Sequence, residues 1–215
     1  MYYVIHPYLH TNKVEARGYQ LEALKAALNN PILLVLPTGL GKTAVEWMVM
    51  AEYLRKGGKV ILVAPTNPLV DQHHRMAVEM LKIEDGPDSI VRISGSTPWQ
   101  RREGEIKEAK VIISTPQVIR NDTLRGTLNL AEFSLLVFDE AHHATGEHAM
   151  AQLAVLYNER ANTRWVLGAT ASPGFKEETV SEICKRLGLD SIHARKGNSP
   201  MIAPYTVGMD VTELR

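Results

Sequence analysis

The sequence has almost no cysteine. Cys184 is the single one in 215 residues, so no disulfide can close within the chain. A disulfide-stapled framework is excluded, and a reducing, cytosolic compartment fits. No uninterrupted apolar stretch approaches the ~20 residues that span a bilayer. The start, Met1-Tyr2-Tyr3-Val4-Ile5-His6-Pro7, lacks the basic beginning and long apolar stretch of a secretion signal. A soluble cytoplasmic protein with no membrane partner is expected. An excess of one charge sign is missing too: Lys+Arg and Asp+Glu both number 24, for a formal net charge of zero. Any nucleic-acid contact must therefore come from a local cleft rather than a basic coat. There are no repeats, no low-complexity tract and no His-Glu-x-x-His pattern. The pairs His73-His74 and His142-His143 are adjacent residues, which point in different directions on a helix, so zinc is not expected.

What the chain does have is Leu36-Pro37-Thr38-Gly39-Leu40-Gly41-Lys42-Thr43, followed about a hundred residues later by Asp139-Glu140-Ala141-His142. Each follows an apolar run, Ile32–Val35 and Leu135–Phe138, that reads as a buried strand of a parallel sheet. Gly39 and Gly41 let the backbone curl so that successive N–H groups face phosphate oxygens. A helix beginning near Thr43 adds the positive end of its dipole. Lys42 supplies a mobile charge for the β- and γ-phosphates, and the Thr43 hydroxyl can join a Mg²⁺ shell. Asp139 can hold Mg²⁺ through its water shell, and Glu140 can orient and deprotonate an attacking water. The pairing predicts a nucleoside triphosphatase. Leu36 stands where the general phosphate-loop pattern has glycine.

Strand and helix signals alternate along the chain, which predicts an α/β fold with a mostly parallel sheet and helices on both faces. The expected helices are 15–28, 43–55, 68–81, a short one after Trp99, and 177–187, the last stopped by Gly188. The expected strands are 32–36, 59–64, 90–93, 110–114, 135–138, 165–167 and 191–194, with 110–114 running into 116–120. Residues 1–16 read as an N-terminal arm, 17–196 as one nucleotide-binding domain, and 197–215 as a turn-rich exit segment. The methionines at 48, 50, 76 and 80 read as helix packing.

Ligands of open parallel sheets bind outside the carboxyl ends of the strands. Several of those ends carry small polar residues with Gly or Pro: Pro65-Thr66-Asn67, Gly95-Ser96, Thr115-Pro116, and the run from Gly168 through Thr170 and Ser172 to Pro173. Short hydroxyls and exposed amides suit sugar–phosphate oxygens, although ordinary turn chemistry uses the same residues. Arg101 and Arg102 could add phosphate contacts.

Taken in order, these segments resemble the first motor domain of superfamily 2 DEAH-type helicases, within the group of archaeal Hef and Fanconi anaemia group M proteins. Arg17-Gly18-Tyr19-Gln20 is similar to the upstream adenine motif, which implies that Arg17 and Gln20 contact the nucleotide and that Gln20 reads the adenine edge. Leu36–Thr43 is similar to the group's phosphate loop, which explains Leu36. The segment Asp139–His142 resembles the DEAH box. The stretches at 64–71 and 114–118 resemble the nucleic-acid-contacting motifs. Gly168–Pro173 resembles the motif that couples the ATP site to the nucleic acid, with Thr170 and Ser172 acting through His142. Asn198-Ser199-Pro200 and Pro204-Tyr205 resemble the stretch leading out of this lobe. The resemblance implies a RecA-like P-loop domain that uses ATP and Mg²⁺ and binds forked, branched or single-stranded DNA, with Lys42, Glu140 and His142 catalytic. A second RecA-like lobe bearing arginine fingers, a helical insert and in archaea a nuclease domain are implied partners. None is found in these residues, so weak hydrolysis by this chain alone is expected. If the source is archaeal, association with the nucleoid follows. An RNA-directed ATPase and a nucleotide-switched scaffold remain open alternatives.

Overall fold

A computed structural model describes residues 2–145, 148–171 and 176–195. The seven strands are β1 Ile32–Val35, β2 Lys59–Val63, β3 Ile90–Arg92, β4 Val111–Ser114, β5 Phe133–Asp139, β6 Val166–Thr170 and β7 Ser191–Ala194. They form one sheet in the order β3-β4-β2-β5-β6-β1-β7. Every described pairing within the sheet is parallel. The carboxyl ends of all seven strands therefore lie on one edge.

The strand sequences are apolar on both faces because both faces are covered. Ile32, Leu34, Val60, Leu62, Leu135 and Val137 belong to the core on one side. Helices α1 (Gly18–Asn29), α2 (Lys42–Arg55) and α3 (Asn67–Met80) close that side. Leu33, Ile61, Ile112, Leu136 and Phe138 point the other way. There they meet α4 (Trp99–Glu108), α5 (Pro116–Arg125), α6 (Ala149–Arg160) and α7 (Glu177–Leu187). No described helix is long and apolar enough to cross a membrane.

Differences from the sequence expectation have local causes. Helix α1 starts at Gly18 rather than 15, because residues before it pair with the arm. Val4 N–H donates to the Val14 carbonyl and Ala16 N–H to the Tyr2 carbonyl, both at 2.8 Å. The arm also reaches the end of α3, where Leu9 bridges to Leu81. Strand β6 continues through Gly168-Ala169-Thr170, which the sequence reading assigned to a strand-end loop. Gly168 belongs in a strand here because a Cβ would crowd Leu33 and Leu189 at about 3 Å. Helix α6 was not anticipated: its apolar residues surround it, and His148 caps it by accepting from the Met150 N–H at 3.2 Å. It is fixed to β5 through the Tyr157 hydroxyl, which donates to the Phe133 carbonyl at 3.0 Å. Helix α7 runs over 177–187 as expected, with Glu177 and Glu178 in its first turn and Lys185 and Arg186 in its last. That arrangement complements the helix dipole. The exit segment 197–215 lies outside the described residues.

His193 on β7 sets a pH limit on this fold. It is 4% exposed, and its Nε2 has no hydrogen-bond partner among the described residues. Burial first, and the Arg195 charge second, hold its pKa down to about 4. An unfolded histidine protonates near pH ~6.5. Below that pH the unfolded chain takes up a proton that the folded chain refuses until about pH 4. Stability is therefore present above pH ~6.5 and lost as pH falls through this window. The expected loss from this group is on the order of 2–3 kcal/mol. His193→Gln should flatten this part of the curve, as read from thermal melts at stepped pH.

Candidate active site

Strand β1 ends at Val35, and Leu36 follows fully buried, its N–H donating to the Thr170 carbonyl at 3.2 Å. A side chain with no polar group is what that position takes. The loop then turns outward: Pro37 is half-buried, Thr38 and Gly39 are exposed, and Leu40 N–H donates to the Pro37 carbonyl. Gly39 and Gly41 both adopt positive φ, at 86° and 78°. Gly41 is the residue before α2, and a Cβ there would collide with the Gln20 side chain. Lys42 and Thr43 open the helix, whose first N–H groups have no partner within it. Within the loop the Leu40 N–H is used internally, and the helix start at Lys42 leaves first-turn N–H groups that the helix itself does not bond.

Strand β5 delivers the acidic pair to the same place. Lys42 Nζ lies 2.7 Å from Asp139 Oδ1 and 3.1 Å from Glu140 Oε1. Asp139 is buried, whereas Glu140 is half-buried and sits at φ 52°, an unusual conformation for a residue with a Cβ. Burial alone would lower the Lys42 pKa, but the carboxyl groups of Glu46, Asp139 and Glu140 outweigh it and keep the lysine charged. For Asp139 burial acts upward, and the hydrogen bond from His73 with the charge of Lys42 overcomes it, so the group stays ionised far below the usual carboxylate range. The ammonium and two carboxylates compensate one another in a site largely shielded from water.

His142, two positions after Glu140, has Nδ1 3.3 Å from Glu140 Oε2 and shares a 3.0 Å hydrogen bond with Thr170 Oγ1. Burial, then the neighbouring His143, lowers its pKa. His142 thus touches both Glu140 and Thr170, one of the two expected coupling residues. Ser172, the other expected coupling residue, lies outside the described residues.

Beside the loop opens a cavity of about 370 Å³ lined by Arg17, Gln20, Gly39, Gly41, Thr43 and Trp47, among others. Gln20 Nε2 donates to the Leu40 carbonyl at 3.1 Å, and its buried Oε1 has no partner among the described residues. Gln20 thus lines the cavity while keeping one buried acceptor unsatisfied among the described residues, and an amide side chain can pair with an adenine edge. Arg17 is exposed and held by Glu15 and by the Tyr19 hydroxyl. Met76 and Met80, expected as packing, form part of this wall. Thr43 follows Lys42 at the start of α2, and Lys42 contacts the Asp139 carboxylate; a hydroxyl and a carboxylate are oxygen donors of the kind a hard Mg²⁺ ion takes. The residues present fit a magnesium nucleoside triphosphate.

The other expected contact residues occupy the same edge, at the ends of strands β2, β3 and β4. Thr66 and Asn67, at the start of α3, are exposed, and Pro65 is half-buried. Gly95 and Ser96 are exposed, with Ser96 Oγ 2.9 Å from Ser94 Oγ. Thr115 is half-buried, and Pro116 is buried in the first turn of α5. Arg102 corrects an expectation. It is buried and forked onto Asp122, with Nε–Oδ2 at 2.8 Å and Nη2–Oδ1 at 2.5 Å, and its third nitrogen reaches the Thr97 carbonyl. It cannot also serve as a phosphate contact, so Arg101, which is exposed, is the available one of the pair.

Three residues at the site were missed in the sequence. His73, set aside there as one of an adjacent pair, has Nε2 2.6 Å from Asp139 Oδ2. Trp47 packs edge-on against its ring. Glu46 lies one helical turn beyond Lys42, fully buried, and burial, then the charge of Asp139, pushes its pKa well up. The available signal was the i, i+4 spacing of Glu46 from Lys42, which puts both on one helix face.

Comparison with known proteins identifies the family. The family profile of DEAD/DEAH box helicases matches residues 17–180. A Methanocaldococcus jannaschii protein bearing the name putative ATP-dependent RNA helicase is 39% identical over 99% of this chain, which spans 27% of that relative. The ATP-dependent DNA helicase Mph1 of Candida glabrata is 34% identical over 94% of the chain, which spans 19% of it. The crystal structure of the Pyrococcus furiosus Hef helicase domain superposes with a TM-score of 0.85 at 40% identity, covering 90% of this chain and 40% of that one. The chain therefore spans well under half the length of each of these relatives.

The Arg102–Asp122 pair makes a test of the corrected assignment. Asp122→Ala strands a buried guanidinium and should cost roughly 3–5 kcal/mol in urea unfolding. Arg101→Ala should lie within about 0.5 kcal/mol of the unaltered chain.

Proposed function

The chain belongs to the DEAD/DEAH box helicase family, and from that premise we propose that it is the first motor lobe of an ATP-dependent DNA helicase or translocase acting on forked or branched DNA. The observation that carries this reading is the meeting of Lys42 with Asp139 and Glu140, from two segments 97 residues apart, beside a loop in which Gly39 and Gly41 both take positive φ.

In this reading the backbone N–H groups of Gly39, Gly41, Lys42 and Thr43 cradle the phosphates, and Lys42 swings from the two carboxylates to clamp the β- and γ-phosphates. Thr43 and Asp139 would hold Mg²⁺, directly or through its water shell. Bound Mg-ATP supplies the phosphoanhydride bond whose hydrolysis drives the motor. Glu140, released from Lys42, orients the attacking water and accepts its proton. Its φ of 52° fits a carboxylate aimed by the turn rather than by helix or strand geometry. Gln20 reads adenine through its unpaired Oε1, and Arg17 closes the outer side of the base pocket. His142 passes the state of Glu140 to Thr170 and onward toward Ser172. Thr66, Asn67, Gly95, Ser96 and Thr115 would bind the sugar–phosphate backbone without reading bases. Pro65 and Pro116 would shape those segments.

The limited span of the relatives supports a further proposal, that hydrolysis needs a second RecA-like lobe. An arginine finger from such a lobe is worth ~10³–10⁵ in turnover. A helical insert and a nuclease domain are further proposed partners in a full-length protein. RNA is the second reading, supported by the name of the Methanocaldococcus relative.

The test is equilibrium binding of Mg-ATP together with turnover, with and without forked DNA. The chain should bind Mg-ATP and hydrolyse it slowly. Lys42→Ala should weaken binding by about 10–100-fold, the worth of its hydrogen bonds to charged oxygens. Unchanged binding by that variant would sink the assignment. DNA affinity should fall with salt, log K dropping by about 0.7 per neutralised phosphate on a single strand. Double-stranded RNA outcompeting branched DNA would favour the RNA reading.

A further inference from the structure

His73 does something at this site that the phosphate loop and the acidic box do not account for. It is 6% exposed, and its Nε2 lies 2.6 Å from Asp139 Oδ2. Its other ring nitrogen, Nδ1, is buried with no hydrogen-bond partner among the described residues. Among those residues nothing else sets the direction of the ring through a hydrogen bond, so Asp139 is its polar anchor. The Trp47 ring stands edge-on to it, at a 6.0 Å centroid separation and 64° between planes, and fixes its tilt. The two oxygens of Asp139 are thereby divided: Oδ1 faces Lys42 and the phosphate loop, and Oδ2 faces α3.

We propose that His73 is a positioning residue: by holding Oδ2 from the α3 side, it aims Oδ1 of Asp139 at the metal's place. The argument is one of donor geometry. A carboxylate can rotate about its last bond and offer either oxygen, so a site that uses one oxygen gains from a fixed donor on the other. Lys42 cannot be that donor once it clamps phosphates, because its ammonium moves with its flexible stem. His73 comes from the middle of α3, is packed by Trp47, and keeps its place whether or not Lys42 moves. This inference rests on the ATP reading above.

The measurement is the factor by which Mg²⁺ strengthens ATP binding to this chain, from isotherms with and without the ion. Three chains are compared: unaltered, His73→Leu, which fills the volume without a donor, and His73→Gln, whose amide can donate from nearly the same position. His73→Leu should bind metal-free ATP about as well as the unaltered chain, while its Mg²⁺ enhancement drops by about 10-fold or more. His73→Gln should restore most of it. An equal enhancement in the leucine chain overturns the proposal and leaves the ATP reading intact. An unaltered chain with no Mg²⁺-dependent ATP binding overturns the ATP reading and this inference with it. Should the leucine chain not fold, imidazole NMR of the unaltered chain decides. A His73 Nε2 proton that stays protected from exchange when Mg-ATP is added supports the assignment, and one that exchanges freely with water overturns it.

Discussion

A charged lysine shared between two carboxylates, one of them buried, organises this lobe. Lys42, Asp139 and Glu140 could not be left singly in so dry a place, since an unpaired buried charge costs several kcal/mol. Their mutual contact requires that β1 and β5 end at the same level although β6 runs between them. It also requires α2 to begin at Lys42, which the positive φ of Gly41 permits. The parallel sheet supplies the first condition and the glycine loop the second. Once both hold, a cluster of opposite charges is prepared for phosphates to enter, with the lysine already in reach.

The edge on which this happens is divided by strand order. The phosphate loop, the acidic pair and Thr170 occupy the ends of β1, β5 and β6, while the exposed hydroxyls and amides of 66–67 and 95–96 occupy the ends of β2 and β3. Asp139 stands at the boundary, because β5 neighbours β2. Helix α3 crosses it: the helix starts at Asn67 on one half and reaches Asp139 through His73 on the other. The charged cluster and the proposed backbone-binding segments thus share one sheet edge, and α3 runs between them.

Legibility in the sequence followed how local each feature was. The phosphate loop and acidic box could be read because short backbone turns dictate their residues and because apolar runs announce the strands before them. Helix α7 was read to the residue, since charges at both ends and Gly188 mark it. The start of α1 was misread because pairing between residues 2–4 and 14–16 is set by the arm's return, which no local pattern announces. Helix α6 escaped because apolar residues on all sides hide the 3.6-residue period on which recognition depends. The same limit explains Arg102 and His73. Nothing in a run of sequence shows that Asp122 will sit beneath one or Asp139 beside the other. Both are long-range contacts created only when the sheet assembles.

The most direct test of the shared lysine is the ATP affinity of the Glu140→Gln chain set against that of the unaltered one. If Lys42 must leave the carboxylates to hold phosphates, removing one competing charge should tighten ATP binding by roughly three- to tenfold, the equivalent of about 1 kcal/mol of released pairing. Equal or weaker binding would mean that Lys42 is not divided between the two partners, and the account of how this site receives its nucleotide would be wrong.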